Sequence, residues 1–424
     1  MTTTGSVTGH GGSHVLIVGG GPAGHAAASE LRRAGYTGGV SVACAEGHAP
    51  YDRPSCSKGV LTGHQVPADV ALDNDIPGVE WRLGRRAQWL DHEQRLVGFD
   101  TGETCRYDGL IIATGTTSVV PDGMPVGAPG LHLLHTLDDA WKIRQDLRHA
   151  RRVAVVGGGL TGCEVACTVR SLAREAVLIH SGPQLMAKTL GGYVASLVTE
   201  AHGAAGVELR LRTRLVRMDR DTGRWRLWLD DGSAVHADMV VVTVGERPAV
   251  SWLADSGLEC GDGVLCDETL RVAGAAGVVA AGAVAKWPDP RDDDGPRRVG
   301  HWIAALEQGR AAARTLVRGH RAQPVSLLPR FWSEQFGLRI QVCGRIDPDA
   351  DVAITEVRPG RRDTARAGVL ATYYLRGRAI GVAGINAPSA FTVAARTLHA
   401  GLVMPPYALP AAAQTPQRRL RAVG

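Results

Sequence analysis

Short apolar runs that end on glycine recur along the chain, and the text between them changes its period. Val15–Val18 is apolar and enters Gly19-Gly20-Gly21-Pro22-Ala23-Gly24. That text predicts a strand over 14–18, a helix over Ala23–Arg33 and a second strand over Gly39–Ala45. Alternating strand–turn–strand sequence runs from Val79 to Arg106. It closes on Leu110-Ile111-Ile112-Ala113-Thr114-Gly115, a buried strand ending in a glycine turn. The plan then restarts. Arg152–Val156 is a short apolar strand, followed by Gly157-Gly158-Gly159-Leu160-Thr161-Gly162, a helix, and a strand over Ala176–His180. A strand-rich stretch, 207–236, leads to Met239–Val244 and Gly245. Two copies of one order predict a duplicated dinucleotide-binding fold.

Beyond Gly245 the text predicts a buried strand at Val278–Gly282 and an Ala-rich helix near Ala304–Val317. The Pro/Asp-rich segment Trp287–Pro296 between them reads as an exposed loop. From about Leu327 the pattern changes to alternating strands, Arg339–Val342, Val352–Glu356, Gly368–Leu375 and Ala379–Val382, before one helix, Ser389–Ala400. This is a separate α+β module. Residues 1–12 read as a disordered leader and Pro406–Gly424 as a loose tail.

Composition narrows the class. With 44% apolar and 21% charged residues, the 424-residue chain reads as an ordinary globular protein of two or three domains. Its net charge of +5 is too mild and too mixed to argue for nucleic acid. No apolar run approaches the roughly 18 residues of a membrane helix, and residues 1–12 hold no apolar core of a signal peptide. A cytoplasmic protein is expected. The eight cysteines include no CxxC pair. Cys163 and Cys167, one helical turn apart, read as packing rather than a metal site, so no metal is expected.

The chemistry starts at Gly19-x-Gly21-x-x-Gly24. Gly19 permits a tight turn, Gly21 lets a pyrophosphate approach the backbone, and Gly24 lets helix and strand pack closely. The helix start supplies unpaired N–H groups and a favourable dipole for phosphate. Glu46, about twenty residues on at a strand end, would accept ribose hydroxyls. Gly157-x-Gly159-x-x-Gly162 has equally good context. Two such turns predict two dinucleotides, and hydride transfer between their stacked rings. No Ser/His/Asp arrangement is present to suggest another chemistry.

Between the turns lies Pro50-Tyr51-Asp52-Arg53-Pro54-Ser55-Cys56-Ser57-Lys58. Together with the two glycine motifs it resembles the FAD-dependent ferredoxin reductases, the putidaredoxin, rubredoxin and aromatic-dioxygenase reductase group, whose pattern here is close to PYxRPPLSK. The likeness continues through Thr114-Gly115, Val244-Gly245-x-Arg247-Pro248, Ala280-Ala281-Gly282, Glu307–Ala312 and Phe331-Trp332-Ser333-Glu334-Gln335-Phe336, covering roughly residues 13–400 in order. It implies two Rossmann-like dinucleotide-binding domains of the glutathione-reductase-like kind plus a C-terminal α+β domain, an α/β protein overall. The FAD domain would take 13–120 and 247–322, the NAD(P)H domain 121–246, and the C-terminal domain 323–405.

The resemblance also implies roles. FAD would contact Gly19, Gly21, Pro22, Ala23 and Gly24 of the first turn, then Glu46, Arg53 and Ala87. Ala113, Thr114, Gly115, Gly282 and Ala283 would follow, with His301 and Trp302. NADH or NADPH would contact Gly157, Gly159, Leu160, Thr161 and Gly162, then His180 and Gly245. Lys58 would sit near flavin N5 and pair with Glu164, the two counting as catalytic, and Trp332 would lie beside the flavin. A cation there stabilises negative charge on reduced flavin. Electrons would pass from NAD(P)H through FAD to an acidic 2Fe-2S or similar ferredoxin serving a P450 or an oxygenase. The expected assembly is a monomer or homodimer, with no membrane partner.

Four departures from the family stand out, the last of them spanning two positions. Ala283 replaces the Asp that bonds the FAD ribityl chain, a loss of about 1.5–3 kcal/mol. Gly300 replaces the Glu before His301-Trp302. His180 stands where an acid would accept the NADH ribose hydroxyls, and so opens the second site to NADPH. Ser55 and Cys56 replace Pro-Leu before Ser57-Lys58. Those departures motivate an alternative: a repurposed FAD-dependent oxidoreductase acting directly on a small molecule, with Cys56 as a redox thiol. The segment 325–424 holds 13 Arg and no Lys against 6 Asp and Glu. That excess would steer an acidic ferredoxin.

Overall fold

The computed structural model describes residues 12–291, 295–358 and 367–401, together with the backbone of Arg419–Leu420. The leader falls outside these residues up to position 11, and the tail falls outside them except at that short strand. The chain divides into two compact units. One takes the chain up to Arg53, Pro67–Thr117 and Glu246–Leu327; the other takes Pro54–Val66, Ser118–Gly245 and the chain from Leu328.

The first unit is built on a five-stranded parallel sheet, in the order Val278–Ala280, Gly109–Ile112, His14–Val18, Gly39–Cys44, Val79–Leu83. The central strands are continuous apolar runs because helices cover such a sheet on both faces. Val15, Leu16 and Ile17 are fully buried. Helix Pro22–Arg33 follows the first glycine turn, with Pro22 in its first turn, where a missing N–H costs nothing. Helix Trp302–Arg318 packs against it at close range: a Cβ on Gly309 would lie 2.1 Å from the Ala23 carbonyl oxygen. Buried Glu30 joins the two helices, accepting from Arg314 at 2.6 Å and from Arg33 at 2.7 Å. A three-stranded antiparallel sheet, Ala87–Asp91, Leu96–Phe99 and Thr104–Arg106, forms the expected β-rich insertion.

The exposed loop expected at Trp287–Pro296 is corrected at its start. Trp287 is fully buried and its indole N–H donates to the Val325 carbonyl at 3.0 Å. Asp289 is buried too, accepting from the Ser326 hydroxyl at 2.8 Å and the Arg291 amide at 3.0 Å. Polar text reads as surface, but here the carboxylate caps the returning chain. Asp292–Asp294 lie outside the described residues.

The second unit repeats the parallel plan in the order Glu208–Leu211, Glu175–His180, Arg152–Val156, Met239–Val242, Leu131–Leu133. An antiparallel trio, Leu215–Asp221, Arg224–Leu229 and Ala234–Ala237, supplies its β-rich insertion. The same unit holds a six-stranded antiparallel sheet: Arg330–Gln335, Leu338–Gly344, Arg378–Ile385, Gly368–Leu375, Asp351–Val357 and Arg419–Leu420, with helix Pro388–His399. The last pair sets a two-residue strand where a loose tail was expected.

Two of the longer helices among the described residues were not anticipated. Leu137–Leu147 starts with a capping box, Thr136 and Asp139 each bonding the other's backbone N–H. Ala187–Ala204 is broken at Gly191, whose φ of 70° removes the helical text's regularity. The Tyr373 hydroxyl donates to the Leu190 carbonyl at that break.

Candidate functional site

In the first unit the glycine turn separates into two kinds of position. A Cβ on Gly19 would lie 2.1 Å from the Ala113 carbonyl oxygen, and one on Gly24 1.9 Å from the Gly19 oxygen. Gly19 is required by backbone packing against the neighbouring strand end, and Gly24 by packing of the helix against the turn's own carbonyl. A Cβ on Gly21 would meet nothing within 4 Å. Gly21 also caps helix Pro22–Arg33, with no side-chain cap and no acid in the first turn. The open side of Gly21 and the uncapped helix start could together receive an anion.

Glu46 lies just beyond the strand Gly39–Cys44. Its two carboxylate oxygens accept from the Tyr51 hydroxyl at 2.7 Å and from Arg53 at 2.8 Å. The Arg53 guanidinium also lies 5.1 Å from the Tyr51 ring centre. Each oxygen keeps a second lone pair. The Tyr and Arg of the distinctive segment thus hold the candidate ribose acceptor in place.

On the facing strand ends, the Thr114 hydroxyl donates to the Ala249 carbonyl at 2.9 Å, and Gly115 has a φ of 66°. The Gly282 amide donates to the Gln308 side-chain oxygen at 2.6 Å. Gln308 is fully buried and its side-chain nitrogen has no partner. Turning the amide over would set two donors against each other, so a buried donor remains beside Gly282. That orphan fits a ligand with an acceptor there. Ala283 is half-buried, and its carbonyl accepts from Arg298 at 3.0 Å. Ala87 begins its strand opposite Phe99. His301 precedes helix Trp302–Arg318, and burial pushes it below the ordinary histidine range, so its ring is neutral at neutral pH.

The second glycine turn repeats the division. A Cβ on Gly157 would lie 2.3 Å from the Thr243 oxygen, and one on Gly162 1.9 Å from the Gly157 oxygen. Gly159 is open, and it starts helix Leu160–Ser171, which carries Leu160, Thr161 and Glu164. Gly245 has a φ of 128° with open space at its Cβ position. His180 ends the strand Glu175–His180 and lies over Gly158, accepting its amide at Nδ1 over 3.3 Å. A Cβ on Gly158 would come within 2.6 Å of that ring. Burial pushes His180 below its ordinary range, helped by the Lys188 charge and opposed by a backbone hydrogen bond at Gln184.

Lys58 and Glu164, far apart in sequence, meet in this unit at 2.6 Å. Glu164 is 5% exposed and Lys58 34%. The ammonium also donates to the Pro54 carbonyl at 3.1 Å. The Ser57 hydroxyl donates to the same carboxylate at 2.5 Å, and the Ser333 hydroxyl at 2.6 Å. Ser57 and Ser333 were not singled out from the sequence; no spacing links them to Glu164. Trp332 lies on the outward face of the strand Arg330–Gln335 and is 49% exposed.

Cys56, the redox thiol of the alternative reading, is buried, being 3% exposed. Burial pushes Cys44 and Cys266 up to about 12, and raises Cys163 further. Among the described residues no group of three or more His, Cys, Asp or Glu could hold a metal ion. No described helix is long and apolar enough to cross a membrane.

The family described as pyridine nucleotide-disulphide oxidoreductase matches residues 13–309, and one described as reductase C-terminal matches residues 330–422. The chain is similar to the benzene 1,2-dioxygenase system ferredoxin–NAD(+) reductase subunit of Pseudomonas putida. The two are 31% identical over 398 residues, 93% of this chain and 94% of that protein. Rhodocoxin reductase of Rhodococcus erythropolis is 27% identical over 398 residues, 92% of this chain and 91% of its own. A solved ferredoxin reductase for the CYP199A2 system from Rhodopseudomonas palustris is 28% identical. It superposes with a TM-score of 0.86 over 93% of this chain and 96% of that one.

Proposed function

Because the chain belongs to the pyridine nucleotide-disulphide oxidoreductase family, we propose that it is an FAD-dependent NAD(P)H:ferredoxin oxidoreductase supplying an oxygenase or P450 system. The observation that carries this reading is the buried ion pair between Lys58 and Glu164, which joins the segment after Tyr51 to the helix of the second glycine turn. A hydride acceptor needs a fixed cation at its reactive edge, and this pair is built to keep one.

The open side of Gly21 binds the FAD pyrophosphate, and Glu46, held by Tyr51 and Arg53, takes the adenosine ribose. Gln308 offers its unpaired N–H beside Gly282, where Ala283 supplies no carboxylate. The open side of Gly159 binds the nicotinamide nucleotide, with His180 at its ribose end. Bound FAD supplies the conversion of a two-electron donor into single-electron steps. Lys58 offers positive charge to it, and Glu164 prevents that ammonium from turning to solvent. Buried thiols and the absence of a C-x4-C pair in the sequence favour an external electron acceptor over a disulfide. The Arg-rich C-terminal module suits an acidic 2Fe-2S ferredoxin, in a cytoplasmic setting.

Anaerobic titration of the FAD-loaded protein with NADH and with NADPH tests the reading. Bleaching of the flavin band by at least one of them is expected, with rapid cytochrome c reduction only after a ferredoxin is added. A flavin that neither nucleotide bleaches overturns it.

A further inference from the structure

The carboxylate of Glu164 has two ends, and they face different groups. Oε2 accepts from Lys58 at 2.6 Å and from the Ser57 hydroxyl at 2.5 Å. Oε1 accepts from the Ser333 hydroxyl at 2.6 Å. Ser333 is fully buried, and its oxygen in turn accepts from the Gln335 side-chain nitrogen at 3.0 Å. That nitrogen also lies 3.7 Å from the Met186 sulfur.

The direction of this chain of bonds is fixed by counting protons. A serine hydroxyl has one proton and two lone pairs. A carboxylate can only accept, so the Ser333 proton goes to Glu164. The atom of Gln335 facing Ser333 must then be its N–H donor. The price is a buried Gln335 side-chain oxygen without a partner, in a side chain that is 1% exposed. An amide held donor-first at such a cost marks a constraint on the hydroxyl it faces.

We propose that Ser333, with Gln335 behind it, is a positioning residue for Lys58: it anchors the far oxygen of Glu164 so that the near oxygen holds the ammonium in one place. The proposal rests on the reading of Lys58 as the cation offered to the flavin. Both serines come from outside the helix that carries Glu164. Ser57 is itself fixed from that helix, because Thr168 donates to the Ser57 carbonyl at 2.8 Å. Ser333 comes from the strand Arg330–Gln335, whose outward face carries Trp332. One strand therefore presents an aromatic ring on its outer side and steadies the cation through its inner side. Without Ser333, Oε1 is a buried acceptor with no donor. The carboxylate then rotates or recruits the lysine, and the ammonium leaves its place.

The test uses the full chain, with and without FAD, and five variants. Ser333→Ala is expected to slow flavin reduction at saturating NADH about tenfold and to lower the flavin midpoint potential by about 30 mV, the same factor for two electrons. Nucleotide affinity should stay within about twofold, since the residue touches neither glycine turn. Ser333→Thr keeps a hydroxyl and should restore both values. Gln335→Met removes the donor that steadies the serine oxygen and should shift both the same way by less. In the FAD-free protein, labelling of Lys58 by an amine reagent, mapped by mass spectrometry, should speed up in Ser333→Ala. Lys58→Gln should change rate and potential at least as much, and adding Ser333→Ala to it should add little. A Ser333→Ala protein that melts lower but keeps the parent potential, rate and labelling overturns the proposal, as do effects that add fully in the double variant. If Lys58→Gln leaves the potential unchanged, the reading of Lys58 itself fails and the proposal falls with it.

Discussion

Replacing each glycine of the first turn by alanine should separate the residues that pack from the one that receives phosphate. At Gly19 the backbone has a φ of 117°, and an added Cβ would stand 2.1 Å from the Ala113 carbonyl oxygen. An ordinary contact there needs more than 3 Å, so strand end or turn must move by about 1 Å. Backbone strain of that kind costs about 1–3 kcal/mol before the displaced strand is counted. At Gly21 the φ is −73°, which any residue adopts, and the Cβ meets nothing within 4 Å. Gly21→Ala should therefore leave the FAD-free protein within about 1 kcal/mol of the parent, with reduced chain entropy offsetting a poorer helix cap. On the proposed reading the added methyl occupies the side from which the pyrophosphate approaches, so FAD should bind about 100-fold more weakly, or about 2.7 kcal/mol. The assays are thermal unfolding of the FAD-free protein and FAD titration by flavin fluorescence. Gly19→Ala should fail the first, and Gly21→Ala the second alone. A Gly21→Ala protein that keeps the parent affinity within about threefold refutes the reasoning. Gly157→Ala and Gly159→Ala offer the same contrast for NAD(P)H.

Other expectations are independent of that turn. Burial alone would raise the Glu30 carboxyl, but hydrogen bonds and charge from Arg33 and Arg314 outweigh it and hold the group below its ordinary value. Its contribution is then present above the unfolded carboxyl range and lost as pH falls through the lowered folded value. Glu30→Gln should cost about 1–2 kcal/mol in urea unfolding at neutral pH, where either arginine can still reach water, and the gap to the parent should shrink in acid. His180→Asp places a carboxylate at the ribose end of the second site and should raise the NADH-to-NADPH ratio of kcat/KM about tenfold, read from steady-state rates with both nucleotides. Gly191→Ala meets a φ of 70° and the Tyr373 ring at 2.7 Å. It should lower stability by about 1–3 kcal/mol, measured by urea unfolding.

The two glycine turns were legible because their cause is local. A backbone that passes within 2 Å of where a side chain would begin can be written only as glycine, and a strand buried on both faces only as an apolar run. Both requirements stand in the text at fixed offsets, so the central strands of both sheets could be read, whereas the short edge strand Leu131–Leu133 was not. The helix Ala187–Ala204 was not read, for the converse reason. Gly191 and Gly192 look like an ending, and the helical path does break at Gly191, but it resumes beyond the break, where Tyr373 from a strand far along the chain bonds the Leu190 carbonyl. Trp287 and Asp289 were misread as surface because polarity predicts exposure only when no backbone needs the carboxylate.

The site divides along the same line. Glu46 could be placed at a strand end by counting from Gly24, but nothing in that count says that Tyr51 and Arg53 would close on it. The resemblance named Lys58 and Glu164, and the structure brings them together. Ser57 and Ser333 lie 107 and 169 residues from Glu164. Serine is common, no helix or strand period spans such distances, and a hydroxyl that donates to a carboxylate looks in sequence like any other serine. Their relevance follows from a different kind of constraint. A carboxylate kept from water must have its acceptor positions filled, so once Glu164 is known to be buried, donors beyond the lysine become a necessity. The argument from burial to missing donors predicts that they exist; only coordinates say which residues they are.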